Sequence, residues 1–217
     1  MKQFIFTLCT IAYAVVNMCG QVATKNTESP TDTIVVSIAN KKTVNGFLEF
    51  DIMVRGSHMR GNKGNYLSSL EVELDYNAQM FSKNLANGTP TGGKIVATNG
   101  ADFDQKTKTG KKWEDSYTVR IQNATDSRIR LSLLMNYYKG AHHFRGLIDE
   151  TPRPAIHIKL PVENCLQTSS NLHFVENGTI TVGTYVPAID AGFGGSIRYM
   201  RHRFIDGNSK GDVNCQH

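Results

Sequence analysis

Residues 70–76 read LEVELDY, and this stretch decides the fold class. Leu70, Val72, Leu74 and Tyr76 alternate with Glu71, Glu73 and Asp75. In an extended chain successive side chains point to opposite faces, so the four apolar residues line one face and the three carboxylates line the other. The stretch predicts a strand with one buried and one wet face, which is the pattern of an antiparallel sheet.

The same rule holds on either side of it. In FLEFDIMV, Phe50, Ile52 and Val54 share one face, with Glu49 and Asp51 opposite; in RIRLSLL, Ile129, Leu131 and Leu133 point inward, with Arg128, Arg130 and Ser132 outward. Similar short runs recur as TIVVSIA, KIVAT, SYTVRIQ, AIHIKLPV, NLHFVE, GTITVGTYV and SIRYMRHRF, separated by turn residues, while helical periodicity is nearly absent. About nine to ten strands at this spacing predict an all-β, antiparallel β-sandwich in one domain, residues 33–205. Between FLEFDIMV and LEVELDY lies RGSHMRGNKG, whose first half looks like an expression scar. Patterned strands on both sides make it a native loop. It is expected to join two antiparallel, paired strands at one rim of the sandwich, with Gly56, Gly61 and Gly64 giving backbone freedom and Arg55, His58, Arg60 and Lys63 keeping it wet. Rim loops are binding candidates, and a solubilising turn is the plainer role for this one.

The ends of the chain bear on compartment. Residues 1–20, MKQFIFTLCTIAYAVVNMCG, carry one Lys, an apolar run too short to span a bilayer and then small residues, the layout of a secretory signal peptide cleaved before Gln21, or after Ala23. Cys19 leaves open an acylated, lipid-anchored variant. Residues 21–32 read as a flexible leader and 206–217 as a polar tail. Export leaves Cys165 and Cys215, which either pair, for a stabilisation of about 3–5 kcal/mol, or remain as two thiols. The formal net charge is +5. Its Lys and Arg are scattered between acidic segments, so nucleic acid is not an expected partner, and no later stretch is apolar and long enough for a transmembrane segment.

Three pieces resemble cohesin-type modules, the nine-stranded jelly-roll sandwiches of bacterial extracellular proteins. SLEVELDYNAQMFS is similar to the family's strand followed by a short apolar turn, GLIDETPRPAIHIKLPV to its Gly-led turn feeding an alternating strand, and GGSIRY to its closing strand. They occur in the family's order over roughly residues 34–204. The resemblance implies a jelly-roll fold and a non-catalytic assembly or adhesion role toward a protein partner, and it carries over no docking residues. The terminal GDVN is similar to the opening of a dockerin calcium loop, which makes Asp206, Asn208, Asp212 and Asn214 candidate ligands for Ca2+ beside a frayed-tail reading. Composition and the Gly-Gln cleavage style look like a Bacteroidota export product.

Catalytic chemistry finds no complete set of residues. His142 and His143, adjacent on an extended chain, would point apart and cannot share a metal ion, and no Ser or Cys has the setting of a nucleophile. The acids alternate on wet faces rather than standing in an apolar cleft. Asp102 and Asp104 could flank a calcium ion or a solvated loop. For binding, Trp113 is placed at a loop edge with Tyr117 beside it, where a sugar could stack. Tyr199, Arg201 and Arg203 share one strand face that could meet an anionic glycan or protein. Asn87, Asn123 and Asn177 match the N-glycosylation acceptor pattern, which matters only in a eukaryotic source. The function read here is a secreted or cell-surface binding module, with a carbohydrate-binding module and a glycan-active enzyme as alternatives.

Overall fold

A computed structural model describes residues 33–57, 67–81, 95–101, 103, 106–109, 112–115, 117–125, 127–135, 148–175 and 201–215. All belong to the compact unit Thr31–His217, so the expected signal peptide and leader lie outside the described residues. Among the described residues eleven strands are formed: β1 (Thr33–Val44), β2 (Phe47–Ser57), β3 (Ser69–Asp75), β4 (Val96–Asn99), β5 (Lys106–Thr109), β6 (Lys112–Asp115), β7 (Tyr117–Ala124), β8 (Arg128–Met135), β9 (Arg153–Pro161), β10 (His173–Phe174) and β11 (Arg201–Ile205). They assemble as a five-stranded sheet, β11-β1-β2-β9-β4, a four-stranded sheet, β10-β3-β8-β7, and the hairpin β5-β6.

Alternation builds the core. Ile34, Val36 and Ile38 of β1, Leu48, Phe50, Ile52 and Val54 of β2, and Ile156, Ile158 and Leu160 of β9 form the inner face of one sheet. Leu70, Val72 and Leu74 of β3 and Ile129, Leu131 and Leu133 of β8 form the inner face of the other. All belong to one hydrophobic cluster. At roughly 1.5–3 kcal/mol for each fully buried aliphatic or aromatic side chain, this burial is the main stabilising term. The expected all-β sandwich is thus the observed fold, and among the described residues every strand pair is antiparallel except β1 with β11, which run parallel.

Local chemistry sets the corners. Asn45 and Gly46 both have positive φ, 50° and 78°, the backbone that a two-residue hairpin loop needs between β1 and β2. Near the end of β1 the register shifts between Ala39 and Lys42, and Asn40 takes a φ of 56°. This bulge sets Lys41 apart from the strict alternation of its strand. Tyr76, at the end of β3, donates its hydroxyl to Thr125 O at 2.5 Å and so pins the β7–β8 turn.

One expectation is corrected here. FLEFDIMV and LEVELDY are not a hairpin: β2 pairs with β1 and β9, whereas β3 pairs with β8 and β10 in the opposite sheet. Alternation fixes which face a residue takes but not which strand lies beside it. Residues 58–66 of the expected rim loop lie outside the described residues.

Candidate functional site

The two outer faces differ in how their charges are met. On the four-stranded sheet every acid of β3 has a cation opposite. Arg128 grips Asp75 through Nε at 2.5 Å and Nη2 at 2.9 Å, Arg130 donates to Glu71 at 2.9 Å, and both arginines stand within 4 Å of Glu73. His173 adds its Nε2 at 3.5 Å from Asp75. The bond from Arg128 holds the Asp75 carboxyl below its usual range despite partial desolvation. These pairs occupy one another.

The outer face of the five-stranded sheet has two ends. At one end Glu49, nearly buried, accepts from Lys159 at 2.6 Å and pairs with Lys42 at 3.2 Å. Its carboxyl is lowered chiefly by the Lys159 hydrogen bond, which outweighs desolvation. Next to it His157 Nδ1 meets Asp51 Oδ1 at 2.7 Å while Asn40 donates to the other oxygen, also at 2.7 Å; His157 Nε2 faces Glu49 at 3.9 Å. Both imidazole nitrogens therefore face carboxylates, and the group is a clasp across β2 and β9 rather than a base poised on a nucleophile.

The other end is arginine. Register places Arg203 of β11, Val35 of β1 and Arg55 of β2 in one cross-strand row, with Arg201 opposite Thr33 in the row beside it. The inward turn of Val54, Ile34 and Val36 fixes these neighbours as outward. Arg203 and Arg55 stand two strands apart, about 10 Å, and Arg201 and Arg203 lie about 7 Å apart along one strand. Arg201 and Arg203 are exposed and Arg55 is half-buried, and none of the three has an acidic partner among the described residues. Val35 between them is only 2% exposed. The arrangement is a cross-strand row of arginines flanking a buried valine.

The sequence-predicted site residues divide as follows. Arg201 and Arg203 take the outward positions expected of them, on β11. Tyr117 does not present a stacking face: it is 1% exposed, packs edge-on against Phe103 at 5.0 Å and donates its hydroxyl to Leu67 O at 2.6 Å. The alternation of SYTVRIQ points it inward with the core, which is the physical reason. Trp113 belongs to β6, opposite Lys108 in a hairpin rather than at a loop edge. Tyr199 lies outside the described residues, as do His142, His143, Asp102 and Asp104. Cys165 and Cys215 are joined in a disulfide with Cα atoms 5.7 Å apart.

The four candidate calcium ligands do not converge on an open centre. Asp206 accepts the Phe174 N–H at 2.7 Å, and Asn208 Oδ1 accepts the Lys210 N–H at 3.0 Å. Asp212 takes the N–H and hydroxyl of Ser170 at 2.8 and 2.5 Å and the ammonium of Lys41 at 2.9 Å. The Asn214 N–H donates to Thr43 Oγ1 at 3.2 Å. Among the described residues no three His, Cys, Asp or Glu side chains are grouped to hold a metal ion. Sequence reasoning missed Lys41 and assigned Arg55 and Gly56 to the rim loop, whereas both lie in β2, paired with β1. Alternation carried through β2 puts Arg55 outward, but only the parallel docking of β11 on β1 brings it level with Arg203.

No protein-family model and no curated protein matches the chain. Among solved structures it is similar to the second type II cohesin module of the cellulosomal adaptor ScaA scaffoldin of Acetivibrio cellulolyticus, at 12% identity and a TM-score of 0.45 over 83% of this chain and 96% of that one. It is similar to a cohesin module from a family 33 glycoside hydrolase of Clostridium perfringens at 11% identity and a TM-score of 0.42, over 82% and 99% of the two chains. A type II cohesin domain from the cellulosome of Acetivibrio cellulolyticus gives 16% identity and a TM-score of 0.41, over 81% and 92%. Among the described residues no helix is long and apolar enough to cross a membrane.

Proposed function

We propose that this chain is a non-catalytic assembly module, exported by its N-terminal signal segment to the cell surface or beyond, which binds an acidic segment of a protein partner at the arginine end of the five-stranded sheet. The observation that carries this reading is the row Arg203, Val35, Arg55 with Arg201 beside it, outward cations without an acidic partner among the described residues, on a face whose other end is paired. Guanidinium groups form bidentate bonds with carboxylates and are favoured at protein interfaces. An extended acidic peptide suits the spacing, because its alternate side chains stand about 7 Å apart, the separation of Arg201 and Arg203 along β11.

The test is binding of the full chain to an immobilised decaglutamate peptide, with dextran sulfate as the polysaccharide comparison. The wild type should bind the peptide, more weakly as salt rises from about 50 to 300 mM because exposed charges are screened. Arg55→Glu/Arg201→Glu/Arg203→Glu should abolish binding, whereas Arg120→Glu, on the exposed face of β7, should leave it intact. Equal binding by the triple variant, or binding to dextran sulfate alone, would overturn the protein-partner reading.

A further inference from the structure

In the segment after β11 a carboxylate and a backbone carbonyl are both taken by one lysine. Lys41 sets its ammonium against Asp212 Oδ2 at 2.9 Å and donates to the backbone carbonyl of Asn208. Both side chains are withdrawn from water, at 11% and 8% exposure. Around them, Ser170 gives Asp212 two further hydrogen bonds, Gly211 N–H donates to Ser169 Oγ at 3.0 Å, and Val213 N–H reaches Thr168 O at 3.1 Å while its side chain enters the core. The bulge in β1 is what presents Lys41 here, since its neighbour Lys42 returns to the outer face to meet Glu49.

We infer that residues 206–215 form a metal-independent latch whose two strongest fastenings, beside its hydrogen bonds to residues 168–170, are the Lys41 ammonium, held between Asp212 Oδ2 and the Asn208 carbonyl, and the Cys165–Cys215 disulfide at the end. An ammonium and a metal ion compete for the same carboxylate and carbonyl oxygens, so occupation by Lys41 removes the demand for calcium. Because the ammonium fastening does not involve sulfur, reduction of the disulfide alone leaves the segment docked. Cys165 is exposed, so a reductant reaches the bond.

Amide hydrogen exchange on the full chain tests both parts. In the wild type, calcium at about 5 mM, well above the affinity range of extracellular calcium modules, should leave exchange at Ser170, Gly211 and Val213 unchanged, as should a chelator. Reduction should also leave those amides protected. Lys41→Met together with reduction should raise their exchange at least about tenfold while the β3 and β8 amides stay protected. Calcium-dependent protection of the wild type would overturn the internal cation. Loss of protection on reduction alone would overturn the second fastening, and this measurement needs no variant to fold. Unchanged exchange in reduced Lys41→Met would overturn the latch itself.

Discussion

Gly100, one residue past β4, has no room for a side chain. A Cβ built there would lie 2.0 Å from Pro154 O, 2.4 Å from its carbonyl carbon and 2.9 Å from Ala155 N. Ordinary contact begins at 3.4 Å, so the clash is more than an ångström deep, and all three atoms are backbone. Neither side can yield cheaply. Gly100 N–H donates to Ala155 O at 2.8 Å and Gly100 O accepts from Phe103 N–H at 2.8 Å, while Ala155 is fully buried in β9. Making room means pulling the β4 end from β9 and disturbing Phe103, which packs on Tyr117. Gly100→Ala should cost about 2–3 kcal/mol, the upper part of the range for overpacked sites. At roughly 2–4 °C per kcal/mol for a domain of this size, the melting temperature should fall by about 4–12 °C, read by differential scanning calorimetry. A variant that melts within about 1 °C of the wild type would refute the reasoning and place β4 away from β9.

Tyr76→Phe removes the hydroxyl that caps the β7–β8 turn at Thr125 O and should lower stability by about 1 kcal/mol in chemical denaturation, with an unchanged m-value. The carboxyls of Glu49, Asp75 and Asp149 are held below their ordinary range by Lys159, Arg128 and Arg153 respectively. Groups lowered in the folded state stabilise it above their unfolded pKa and lose that contribution as pH falls through the folded value, so the melting temperature should hold from pH 7 to about 5 and drop below about 4. Asp75→Asn should make that acid slope shallower, and a profile that stays flat to pH 3 would count against these pairs.

Much of the fold is legible in single strands. LEVELDY, FLEFDIMV and RIRLSLL each name their buried face, and Leu70, Phe50 and Leu131 are fully buried as read. Partners are not legible in the same way, because the period of two says nothing about which strand lies alongside. That is why β2 and β3 look like a hairpin in sequence and lie in opposite sheets. The hairpin β5-β6 hides in TKTGKKWED, where charge density masks extended pairing. The candidate site was half visible: Arg201 and Arg203 follow from alternation, while Arg55 joins them only through the parallel β1–β11 register. Tyr117 shows the converse: nearness to Trp113 in sequence suggests a shared stacking face, but its strand period turns it inward. Lys41 depends on a bulge, and an extra residue in a ladder leaves no mark on hydrophobic periodicity.

The most direct test of the central claim is where an acidic peptide lands. NMR titration of the full chain with decaglutamate, following arginine Nε–H and backbone amide signals, should shift Arg55, Arg201 and Arg203 together with the amides of Thr33 to Ser37. A footprint on Arg128, Arg130 and the β3 and β8 amides would instead place binding on the ion-paired face and contradict the account.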